Sequence, residues 1–169
     1  MCIRDRHERH PRVPEVPPVA GAVSTDTARA LGEFLDHDFA DSRLLQQALT
    51  HRSYTNEHPD ATDNDGLAFV GDAVLGLIVA EHLWATAPRD GVGVLTPRRA
   101  EIVSGASLAR WAERIGLGAR LRLGRGEEMG GGRTKESLLA TALEAVLGVV
   151  YLEGGLPAAR RVIARLAGW

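Results

Sequence analysis

The chain has 169 residues, a net charge of −2, 44% hydrophobic and 25% charged residues, enough for one well-buried globular domain and a tail. Cys2 is the only cysteine, which excludes an intrachain disulfide and a cysteine-based zinc centre and suits a reducing, cytoplasmic setting. The net charge argues against a protein that coats nucleic acid non-specifically, although a whole-chain value can hide a local patch. No apolar run is read as reaching the ~18 residues of a membrane helix, and no signal-peptide core is seen, so no membrane association is expected.

Residues 1–24 hold Pro11, Pro14, Pro17 and Pro18 without apolar periodicity and are read as a disordered tail. The folded domain is placed at 25–169. Ala28, Leu31, Phe34 and Leu35 predict one face of a first helix. Asp41-Ser42 caps a second, with Leu44, Leu45, Ala48 and Leu49 inward. The polar stretch from Asn56 to Asp63 reads as a loop. A long helix follows from about Asn64 to Ala87, stopped by Pro88. Thr96-Pro97 predicts the start of another, running to Ile115. Five glycines between Gly124 and Gly132 predict a loop. A helix from near Thr134 ends at Glu153-Gly154-Gly155, and a last one runs from Pro157 toward Trp169. Nothing alternates with period two, so the fold class is all-α.

Charge is unevenly spread. Between Arg89 and Lys135 ten basic residues face five acids, while Glu57 to Asp72 is acidic. The basic stretch reads either as solvated helix faces or as a surface for polyanions beside an acidic, metal-using pocket.

Two acids break apolar helices. Phe69-Val70-Gly71-Asp72-Ala73-Val74-Leu75-Gly76-Leu77-Ile78 is interrupted only by Asp72, and Leu138-Leu139-Ala140-Thr141-Ala142-Leu143-Glu144-Ala145-Val146-Leu147-Gly148 only by Glu144. A helix apolar all round is expected to be buried, and a buried carboxylate needs a partner. The neighbouring glycines permit close helix packing. Either the two acids share a hydrated Mg²⁺, or each pairs with an arginine or a backbone cap.

These residues carry a resemblance. The Phe69-to-Gly76 segment is similar to the core of the ribonuclease III signature, usually written Glu-Arg-Leu-Glu-Phe-Leu-Gly-Asp. Leu49-Thr50-His51-Arg52-Ser53-Tyr54 resembles the segment before that signature. Leu121-Arg122-Leu123-Gly124-Arg125-Gly126-Glu127-Glu128 with Gly131-Gly132-Arg133 resembles the family's RNA-contacting loop, and Leu139 to Ala145 its second acidic helix. The order holds from about Leu31 to Ala167. The resemblance implies the helical ribonuclease III endonuclease-domain fold, a homodimer, and double-stranded RNA cleaved with Mg²⁺, or Mn²⁺ in its place. It implies metal ligation by Asp72, Glu144 and Asp65, with Asp72 and Glu144 catalytic. It implies RNA contacts by Glu127, Arg133, Lys135, His51 and Arg52, for which solvated loop charges are the alternative. Phe69 either plugs a pocket on the partner subunit or packs in the core.

The pattern is incomplete. The second signature glutamate falls on Ala68, the aspartate three residues before Glu144 on Thr141, and a further acid on or near Val92. Asp65, Ala68 and Asp72 share a helix face, as do Thr141 and Glu144. At positions 68, 72, 141 and 144, two acids, a methyl and a hydroxyl therefore stand where the family aims four carboxylates. The reading is a domain that acts on double-stranded or structured RNA, with impaired cleavage and weakly held metal. The alternatives are an active endoribonuclease and a dimeric interaction module. The double-stranded RNA-binding domain that usually follows in the family is not seen before Trp169. His7, His10, His37, His58 and His82 show no ligand spacing and are given no role.

Overall fold

The computed structural model describes residues 23–169; most of the expected N-terminal tail lies outside them. Among the described residues the α-helices are α1 (Thr25–Leu35), α2 (Ser42–Ala48), α3 (Arg52–Glu57), α4 (Asp65–Thr86), α5 (Val92–Ile102), α6 (Gly105–Arg114), α7 (Arg125–Met129) and α8 (Glu136–Ala167). Two 3₁₀ turns, Gly118–Arg120 and Gly132–Thr134, bracket α7. Among the described residues there is no strand, only a parallel bridge between Thr50 and Arg122.

The core is a long contact between α4 and α8, with α6 against the other side of α8. Leu75 and Val79 from α4 and Leu143, Leu147 and Ile163 from α8 are fully buried there. Glycine sets the approach. A Cβ on Gly71 would lie 1.8 Å from the Glu144 carbonyl oxygen, and one on Gly148 would lie 2.3 Å from that of Leu67. Only hydrogen fits at either crossing point. Gly76 meets nothing within 4 Å, so the expected role of that glycine in packing is not found. By length and composition α4 and α8 are both able to cross a membrane, which corrects the reading that no run was long enough. They are also the two halves of the core, with 44% and 67% of those windows buried inside the fold.

Several helix ends lie where the sequence puts them. Asp41 caps α2 by accepting from the Arg43 and Leu44 amides, and Leu44, Leu45, Ala48 and Leu49 are buried. The chain leaves helical geometry at Gly155 (φ 65°, ψ −168°), a conformation open essentially to glycine, and Pro157 starts the next turn.

Other expectations fail for identifiable reasons. The helix placed at Thr96 to Ile115 is two helices: α5 begins at Val92 with Pro97 inside it, and Ser104 caps α6 through Ser107 N. Proline is tolerated because the carbonyl it leaves free is that of the exposed Gly93. The glycine-rich segment is not all loop. It holds α7, whose first amide, Arg125 N, donates to Glu57 Oε1 of α3 at 2.7 Å. That cap comes from 68 residues away and leaves no local trace. The stretch ahead of the polar loop forms α3, capped by the His51 ring, which accepts from Ser53 N. Phe34 is 50% exposed rather than inward; the buried stripe of α1 is Leu31, Gly32 and Leu35.

Replacing Gly71 with alanine should force α4 off α8. We expect Gly71→Ala to lower unfolding free energy by about 1–3 kcal/mol, the usual range for overpacking, or more where backbone must move. Urea unfolding followed by circular dichroism checks this, with Gly76→Ala as the neutral control.

Candidate active site

Because Gly71 lies on the backbone of Glu144, the next residue of α4, Asp72, is delivered beside the Glu144 side chain. Asp72 is exposed at the rim of the crossing, which corrects its expected burial. The buried stripe of α4 is Leu67, Ala68, Gly71, Val74, Leu75, Ile78 and Val79, and Asp72 stands one step off it. Glu144 is partly buried on α8. Burial, and then the charge of Asp72, push its carboxyl up to about 7. Near neutral pH Glu144 is therefore protonated part of the time.

The remaining positions of the expected cluster are placed as follows. Asp65 is exposed at the first residue of α4, Ala68 is buried, Thr141 is half-buried one turn before Glu144, and Val92 is exposed at the start of α5. Among the described residues no three acidic, histidine or cysteine side chains gather closely enough to hold a metal ion. The donor set is thus two carboxylates. That fits a hydrated Mg²⁺, which is commonly held by one or two carboxylates with waters and substrate oxygens completing its shell.

The expected RNA-contacting residues fall into two groups. Arg52 is exposed and free to reach outward. The others have partners in the fold. Arg133 makes a two-pronged contact with Glu128 (2.6 and 2.7 Å) and donates to the carbonyls of Gly118 and Leu121. It fastens α7 to the Gly118–Arg120 turn. Lys135 Nζ is 3.1 Å from Glu127 Oε1, and His51 spends Nδ1 on the α3 cap. Phe69 is 79% exposed.

Sequence reasoning passed over four side chains. His37 Nε2 lies 2.7 Å from Glu153 Oε2, nearly buried, while Glu153 Oε1 accepts from the Ala40 and Asp41 amides. This clamp ties the α1–α2 connection to the break in α8. Tyr54 and His58 stack face to face. Their i, i+4 spacing is the signal that the sequence carries for this pair.

Neutralising Glu144 gives a test of its environment. Its proton is held more tightly folded than unfolded. That contribution to stability is complete below 4.5, its ordinary value, and is lost as pH rises through about 7. We expect Glu144→Gln to match the parent at about pH 4 and to exceed it by about 1 kcal/mol at about pH 8, discounted for the carboxyl's partial exposure. Thermal melts across that range measure the difference.

Residues 41–167 match the family model described as "Ribonuclease-III-like". The chain is 47% identical over 136 residues to Ribonuclease 3 of Symbiobacterium thermophilum, covering 80% of this chain and 57% of that protein. It is 52% identical over 130 residues to Ribonuclease 3 of Heliobacterium modesticaldum, covering 76% of this chain and 55% of that protein. It therefore spans somewhat more than half the length of these relatives. Among solved structures it is similar to the nuclease domain of ribonuclease III from Campylobacter jejuni, with a TM-score of 0.77, 38% identity, and 82% of this chain and 94% of that one covered. That structure's description concerns flexibility in a region involved in dimer formation. With the helical fold, the paired acids of α4 and α8 and these matches, the chain belongs to the ribonuclease III family as a nuclease domain.

Proposed function

We propose that the chain binds double-stranded or structured RNA as a homodimer in a cytoplasmic setting, and that it cleaves RNA far more slowly than a complete family site would. The observation that carries this is the α4–α8 crossing. It keeps Asp72 beside Glu144 but flanks them with a buried methyl, Ala68, and a hydroxyl, Thr141. Asp72 and Glu144 are the residues that would hold Mg²⁺, or Mn²⁺ in its place, with Asp65 at the outer rim. A bound divalent ion supplies charge to a phosphoryl oxygen and acidity to a water. The chain's own part is to orient the Asp72 and Glu144 carboxylates toward one point. With half the acidic face missing, orientation suffers, and a displacement of about 1 Å costs on the order of 100-fold in rate.

The outward face of α4 supports the homodimer. Phe69 (79% exposed), Ala73, Leu77 (47%) and Trp84 (70%) run along its length on the side away from α8. A continuous apolar stripe of this kind marks an association surface. A second copy meeting it about a two-fold axis covers both stripes at once. Light scattering at micromolar concentration should give twice the 18.1 kDa chain mass, and Phe69→Asp should return it to that mass. A parent chain that stays monomeric on concentration overturns the dimer.

Incubation with long double-stranded RNA in Mg²⁺ and in Mn²⁺ tests the rest. The parent should bind duplex and cut near background. Ala68→Glu together with Thr141→Asp should restore cutting, neither alone sufficing, since residues forming one metal site act non-additively. Adding Asp72→Asn should abolish what was restored. Cleavage by the parent at enzyme-like rates would show that Ala68 and Thr141 do not disable the site. A double variant that binds metal yet stays inert would place the defect in RNA positioning.

A further inference from the structure

The stretch joining α3 to α4 holds a feature that the carboxylate pair does not use. The Tyr54 and His58 rings lie 3.9 Å apart and within 5° of parallel. The Arg122 guanidinium carbon stands 4.2 Å from the Tyr54 ring centre. Two groups this near one ring centre cannot share a face without overlapping, so the order is Arg122, Tyr54, His58, which puts His58 at the end of the ladder. His58 is exposed, and its Nδ1 is held 3.0 Å from the Tyr54 carbonyl oxygen, which fixes the imidazole plane. Beside this ladder is an open pocket of about 310 Å³ lined by Tyr54, Arg122 and the run Glu57, His58, Pro59, Asp60 and Ala61.

The ladder is anchored to the start of α4. Arg122 Nη1 donates to Thr50 Oγ1 at 3.2 Å, and Asn64 N donates to the Thr50 carbonyl at 2.9 Å. Asn64 caps α4 eight residues before Asp72. At 1.5 Å rise per residue the ladder's anchor is about 12 Å along the helix axis from the carboxylate pair.

We infer that this pocket is a stacking site for one unpaired purine base of an RNA. A flat, pre-oriented and exposed ring at the end of the ladder offers a base continued stacking at no ordering cost. The carboxylates of Glu57 and Asp60 at the rim repel a phosphate but accept from the amino group of adenine or the amino and imino groups of guanine. A base that remains in a duplex cannot enter, so the site selects bulges, overhangs or loops next to a paired stem. This selection rests on the duplex-binding reading above; the pocket's affinity for a base does not.

Adenosine, which has no phosphate, separates stacking from charge. Titrated into the labelled protein to about 10 mM and followed by NMR, it should shift the His58 ring protons upfield and perturb the Ala61 amide, with a Kd in the millimolar range. His58→Phe should keep the response and His58→Ala should lose it. No perturbation in the parent, or an equal one in His58→Ala, overturns the site. In a second measurement, a stem with one bulged adenine should bind roughly 5- to 50-fold more tightly than the fully paired stem, and His58→Ala should remove that gain while paired-stem affinity holds. Equal affinity for the two stems overturns the selection. Failure of both stems to bind refutes duplex recognition instead, and the adenosine titration still decides the pocket.

Discussion

The contact on which this structure depends is the one between the backbones of α4 and α8, where Gly71 meets Glu144 and Gly148 meets Leu67. It fixes more than the core. Because α4 turns Gly71 inward, Asp72 must emerge at the edge of the crossing, next to Glu144. The same rotation sends Phe69, Leu77 and Trp84 to the opposite side. The carboxylate pair and the apolar stripe are thus two consequences of one helix orientation. Any change that rotates α4 alters both together.

This explains an error that sequence reasoning invites. An apolar run broken only by Asp72, as in Phe69 to Ala80, suggests a helix buried on every side, and Asp72 then looks like an acid stranded in the core. The helix is instead half core and half unpartnered surface. In the isolated chain its outward apolar residues are exposed, and Asp72 lies at the seam. Hydropathy alone does not distinguish a face covered by the same chain from a face left for another.

What was legible was set by short-range chemistry. The Asp41 cap, the stop of α4 before Pro88 and the break at Gly155 depend on residues within a turn of the event, so each could be read. What was not legible depends on distant partners. The first amide of α7 is satisfied by Glu57, the Gly124 amide by Ser53 Oγ, and Arg133 by Glu128 and two carbonyls from another turn. Composition said loop; tertiary hydrogen bonds made helix. The carboxylate pair was legible as two identities but not as a geometry, since its separation is decided by a glycine contact between helices far apart in the chain.

The fold does not require the acids that are absent. The α4–α8 crossing is held by glycine contacts and by Leu75, Val79, Leu143 and Leu147, none of which is part of the metal-facing set. Acids at that crossing oppose folding. Burial, and then the charge of Asp72, already lift Glu144 to about 7, and further carboxylates at the positions of Ala68 and Thr141 would add like charge to a partly desolvated site. Such a cluster is tolerable only when a cation neutralises it. Neutral residues there leave the fold freer of that constraint and bind the cation less well. On the proposed reading, chemistry and architecture are therefore separable in this chain: a change at the acidic face would alter the reaction while the crossing, the outward stripe of α4 and the Arg122–Tyr54–His58 ladder remain in place.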